Sequence, residues 1–76
     1  MNNEKRSKLN DIKLKLTFLI KKLEEVMDSE QDSFDNLTEG LQATSRGAAM
    51  EEAIDNMSLA VEAMEEAIDY IDDAMA

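Results

Sequence analysis

The chain has 76 residues, of which 18 are acidic and eight basic, and it contains no Cys, His, Pro or Trp. Without Cys there is no disulfide or thiolate site, and without His the commonest general base and transition-metal ligand are missing. No enzyme, metal site or cofactor is expected from such a composition. Its length allows one small domain, and two helices of this size are marginal without a partner.

Charge is unevenly spread. Residues 1–22 carry seven basic and two acidic groups, residues 23–46 seven acidic groups and Arg46, and residues 47–76 nine acidic groups and no base. No apolar run reaches the roughly 18 residues of a membrane span. Lys13 and Lys15 interrupt the apolar segment that follows the basic start, so a secretory signal is not expected either. The default address is the cytoplasm.

Residues 1–8 are polar and read as a fraying end. From Leu9 an apolar stripe runs through Ile12, Leu16, Leu19, Leu23 and Val26, alternately three and four apart, with Ile20, Met27 and Phe34 widening it on one side. The first half of Ile12–Ile20 also alternates apolar and polar as a strand would. The stripe continues past it and no second strand exists to pair with it, so a helix is predicted over about residues 5–36. Leu14 and Phe18 project away from this stripe. Either this end of the helix tucks under its own neighbours, or these residues open a second apolar face that pairs with another subunit, together with Leu59, Ala63 and Tyr70. The second reading is preferred, and Leu14, Phe18, Leu59 and Tyr70 are its candidate oligomer contacts.

The pattern breaks over about residues 37–45. Gly40 suits a left-handed helix cap, and Thr44 and Ser45 are good N-cap types for a second helix over about 46–75. That helix nearly repeats in sevens: Met50, Met57, Met64 and Ile71 share one phase, Ala53, Ala60, Ala67 and Ala74 a second, and Ile54, Val61, Ile68 and Met75 a third. These three rows make one apolar stripe. At 1.5 Å per residue both helices run roughly 45–48 Å. The expected fold is an all-α antiparallel two-helix hairpin, coiled-coil-like with an Ala-rich seam, occupying residues 1–76 as a single domain. Dimerisation to a four-helix bundle is expected.

Antiparallel pairing would lay basic residues 5–22 beside acidic residues 62–73. The free negative field is then at the turn end, where Glu24, Glu25, Asp28, Asp32, Asp35, Glu51, Glu52 and Asp55 form a candidate acidic partner surface. Asp28–Glu39 has carboxylates at several positions of a calcium-loop spacing. Ser33 stands where the sharp turn needs Gly, so a solvated helix end is the better reading. The adjacent carboxylate pairs Glu51/Glu52, Glu65/Glu66 and Asp72/Asp73 diverge by about 100° on a helix and do not converge on a site.

One spot favours an anion: Gln42, Thr44, Ser45, Arg46 and Gly47, at the start of the second helix. Ordinary capping, with Arg46 paired to a nearby carboxylate, is the preferred reading, ahead of a nucleotide or protein contact. Direct nucleic-acid binding is not expected from so acidic a surface without an aromatic platform. A protein with a basic surface is the better partner.

The segment EEVMDSEQDSFDNLTEGLQATSRGAAMEEAIDNMSLAVEAMEEAIDYIDDA resembles a family of short, uncharacterised acidic proteins of Gram-positive bacteriophages and prophages. These combine a Lys/Arg-rich start, an acidic stretch, a DN-x-PE-x-LQ-x-S turn and acidic heptads bearing Ala and Ile. The likeness spans about residues 24–74 and is most specific in the turn, and Thr38 replaces the usual Pro. It implies phage origin and action in the host cytoplasm, and brings no functional residues with it. Three roles follow as expectations. The first is a protein that binds and modulates or inhibits a host protein, such as a defence or nucleic-acid-binding factor, by charge mimicry. The second is a sponge for an anionic nucleotide signal, and the third a structural or assembly protein.

Overall fold

A computed structural model describes residues 1–76 as an all-helical hairpin, 58 Å long and 15 by 12 Å in section. Helix α1 runs Asn3–Asp35, a single helical turn α2 covers Glu39–Gln42, and helix α3 runs Ser45–Met75 and packs along α1. No helix is long and apolar enough to cross a membrane.

The polar start is ordered as helix, contrary to the fraying expected of it. Asn2 has extended backbone and its side chain accepts a hydrogen bond from the Lys5 N–H at 2.8 Å, occupying one of the orphan donors of the first turn. Arg6 Nε donates to the Met75 carbonyl at 3.2 Å and ties the two ends of the hairpin together.

The seam follows one heptad phase on each helix. On α1 it is Leu9, Lys13, Leu16, Ile20, Leu23, Met27, Glu30, Phe34 and, beyond the helix, Leu37. Every one of these is buried or half-buried. On α3 it is Gly47, Met50, Ile54, Met57, Val61, Met64, Ile68, Ile71 and Met75, all likewise covered. Spacings of three and four keep both rows facing each other over their full length.

This corrects the stripe drawn from the sequence. Ile12, Leu19 and Val26, placed there beside Leu9, Leu16 and Leu23, are 45, 49 and 57% exposed. The row that seemed only to widen the stripe, Ile20, Met27 and Phe34, turns inward beside the Leu9–Leu16–Leu23 row; the charged Lys13 begins the first and Glu30 continues the second. The Ala row of α3 is also displaced: Ala53 and Ala67 are half-buried, and Ala60 and Ala74 exposed. Only Ile20 and Val61 are buried apolar side chains, and neither is completely enclosed. A two-helix seam leaves each side chain open on its flanks, and the hairpin is accordingly thin in core.

The turn differs from its expected chemistry. Gly40 is not a left-handed cap, since no residue has positive φ. Helix α1 ends at Asn36 in right-handed helical conformation, and the Thr38 side chain accepts from the Leu41 N–H at 3.3 Å to start α2. Thr44 occupies the N-cap position of α3, but its hydroxyl donates back to the Leu41 carbonyl and makes no side-chain cap.

Candidate functional site

Three surfaces could carry function, and the heptad phase positions each. With the seam written as positions a and d, the flanking positions are e and g. In an antiparallel pair, the two e rows share one face of the hairpin and the two g rows share the other. A shallow groove lined by Gln31, Phe34, Glu51, Ile54 and Asp55 marks the e face, where Gln31 and Glu51 are both e residues. Lys13 pairs across that face with Asp72.

The e face is polar throughout: Asn10, Thr17, Glu24 and Gln31 from α1, and Glu51, Ser58, Glu65 and Asp72 from α3. Opposite it, the g face holds Lys5, Ile12, Leu19, Val26 and Ser33 from α1, and Arg46, Ala53, Ala60, Ala67 and Ala74 from α3. None of the 18 acidic residues lies in a g position. Sequence reading assigned Ile12, Leu19, Val26 and the Ala row to the intramolecular seam and so missed this face. The signal was present, since two helices in contact fill two rows each and the chain has three.

The candidate oligomer residues Leu14, Phe18, Leu59 and Tyr70 are all exposed, between 58 and 69%. Leu14 and Phe18 share one apolar patch with Lys15 and Leu19, while the four together do not make one surface. Phe18 and Leu59 are both f residues, which point directly away from the seam and therefore lie on opposite edges of the hairpin. Lys22 Nζ lies 5.1 Å from the centre of the Phe18 ring, a cation–π arrangement.

At the turn end Glu24, Glu25, Asp28, Asp32, Asp35, Glu51, Glu52 and Asp55 are all exposed. The three salt bridges, Lys8–Glu4, Lys15–Asp11 and Lys13–Asp72, all lie at the open end. The turn-end carboxylates are thus left without a cation, and only Asp35 has a neutral donor, Gln31 Nε2 at 3.0 Å. Asp28–Asp35 belongs to α1 rather than to a loop, and no group of His, Cys, Asp or Glu is arranged to hold a metal.

The start of α3 is largely committed to folding. Gln42 Nε2 donates to the Leu37 carbonyl at 3.3 Å and, at 3.1 Å, to the Phe34 carbonyl that also accepts the Leu37 N–H, tying the turn to the end of α1. Gly47 is buried against the backbone of Gln42. Of the five candidate anion contacts, Thr44, Ser45 and Arg46 remain exposed, and Arg46 forms no salt bridge. No family model, curated protein or solved structure matches this chain.

Proposed function

We propose that the protein is an interaction module whose hairpins pair into a four-helix bundle and whose acidic turn end occupies a basic surface on another protein. The observation that supports this reading is the split in the charge: cations pair with carboxylates at the open end, while eight exposed turn-end carboxylates have no cation. Carboxylates at fixed spacing on a rigid rod can stand in for phosphates against a nucleic-acid-binding groove. The likeness to phage proteins gives such a target a setting, a host factor in the cytoplasm, and the role that fits is modulation or inhibition.

The test is affinity capture from a host extract, followed by titration of the purified pair. Affinity should fall steeply with added salt. It should be lost when Glu51, Glu52 and Asp55 are changed to Gln, Gln and Asn with helix content unchanged. Tight, salt-insensitive binding by the neutralised variant would overturn charge mimicry. The nucleotide reading has less support, because Gln42 and Gly47 are engaged in the turn itself.

A further inference from the structure

We infer that the g face is the dimer interface, with α1 of each copy lying on α3 of the other about a two-fold axis parallel to the hairpin. This rests on the bundle reading above and specifies its geometry.

Several observations select a second copy as the occupant. Between Lys5 at one end and Ser33 and Arg46 at the other its two rows are apolar, with Glu25 and Glu30 bordering it only beside Val26 and Ser33, and the hairpin buries only Ile20 and Val61 as apolar core. A flat side 58 by 15 Å is of the size, roughly 800 Å² per partner, that a standard interface covers. Its two rows also complement each other. Large residues (Ile12, Leu19, Val26) stand on one helix and Ala stands at every level of the other, the alternation that lets facing layers interdigitate.

Register fixes which row meets which. The Lys13–Asp72 pair and the groove joining Gln31 and Phe34 to Glu51, Ile54 and Asp55 place residues whose numbers sum to about 85 at one level. A two-fold axis parallel to the hairpin preserves levels between copies. Ile12 then meets the second copy's Ala74, Leu19 its Ala67, Val26 its Ala60 and Ser33 its Ala53, each within a residue of that register.

The alternative axis, perpendicular to the hairpin, stacks α1 on α1 and α3 on α3. Large residues would then face large and Ala face Ala. It would also set two α3 helices side by side, each with nine carboxylates and the single base Arg46. The parallel axis instead sets the basic half of α1 against the acidic half of the other copy's α3. It gathers both turn ends at one pole, where exposed charges are screened beyond about 8 Å at physiological salt. Charge does not separate the two axes, because the reversed levels of the perpendicular one pair the basic half of α1 with the acidic half of the other α1; the fit of large residues against Ala selects α1 on α3.

Because the chain has no Cys, single cysteines report the geometry cleanly. Leu19→Cys and Ala67→Cys proteins, unfolded and refolded together, are treated with a short thiol-specific crosslinker while light scattering gives the mass. A dimer that crosslinks in the mixture, and in neither protein alone, is the expected result. Crosslinking of Leu19→Cys to itself would overturn the axis. A dimer with no crosslink would overturn the face while leaving the bundle reading standing, and a monomer would remove both. Ala60→Leu, at an exposed position, fills the slot for Val26 and should weaken the dimer by about tenfold or more. Leu59→Glu, on the outer edge, should leave the mass unchanged, and dissociation by that variant would count against the assignment.

Discussion

Gly47 and Gln42 approach so closely that no side chain fits between them. A Cβ built on Gly47 would lie 2.1 Å from the Gln42 carbonyl oxygen and 2.6 Å from its carbonyl carbon. Both atoms belong to backbone and cannot swing aside. Gly47 is thus required because α3 must start against the turn, while its backbone needs no unusual conformation. Gly47→Ala should cost about 1–3 kcal/mol, the range for forcing extra volume into a packed site. Gly40→Ala should be neutral or stabilise by about 0.5–1 kcal/mol, because Gly40 sits in a helical turn with open space around it. Paired urea titrations read both, and equal effects would refute the distinction.

Ile20 is one of the two buried apolar residues and lies near the middle of α1. Ile20→Ala should destabilise by about 2 kcal/mol or more, a large share of what so small a domain has. Leu14→Ala, which removes a largely exposed side chain, should change stability by less than about 0.5 kcal/mol. Thermal melts followed by circular dichroism would separate the two, and a large loss from Leu14→Ala would show that its side chain is covered in solution.

Lys13 holds a seam position, its side chain 25% exposed, and reaches out to an Asp72 side chain that is 47% exposed. Such a pair contributes little after solvent screening, so Asp72→Asn should cost less than about 1 kcal/mol. Lys13→Leu should stabilise the hairpin, because an apolar side chain continues the inward row of Ile20, Met27 and Phe34, where the lysine stem leaves the seam to reach its partner. Denaturation midpoints of the two variants test this, and a loss of stability in Lys13→Leu would mean that the ion pair holds the register.

Arg46 has no partner in the structure, so Arg46→Ala should shift stability by no more than about 0.5 kcal/mol. Activity against the captured partner should survive this change and fail on neutralising Glu51, Glu52 and Asp55. Loss of activity from Arg46→Ala alone, with unchanged melting, would move the functional site to the start of α3.

The two matched helices and the break between them were legible in the sequence, because three-four apolar spacing and a run of Gly, Thr and Ser are local signals. The phase of the seam was not. On α1, Lys13 begins the inward row of Ile20, Met27 and Phe34 and Glu30 interrupts that of Leu16, Leu23 and Leu37, and their charge hid the continuity of both. Ile12, Leu19 and Val26 formed a cleaner row, so they claimed the seam in a reading of one helix at a time. Which row turns inward depends on the facing helix, a nonlocal matter. Gly40 misled for a similar reason: Gly permits a left-handed cap, but Asn36 ends α1 in right-handed conformation and Thr38 begins another turn. The turn-end carboxylates were easier to place, since they need only the hairpin topology and the absence of bases after Arg46.

The hydrogen bond from Arg6 to Met75 sets both flanks of the chain at one pole, with the turn some 50 Å away along a rod of two helices. Anything fused to either flank, whether a tag, a fluorophore or a surface linker, therefore sits behind the handle and never in front of the tip. Immobilised through residues near position 6 or 75, the molecule would stand upright and offer its uncompensated carboxylates outward. A sensor chip coated in this way becomes an oriented probe for basic protein surfaces.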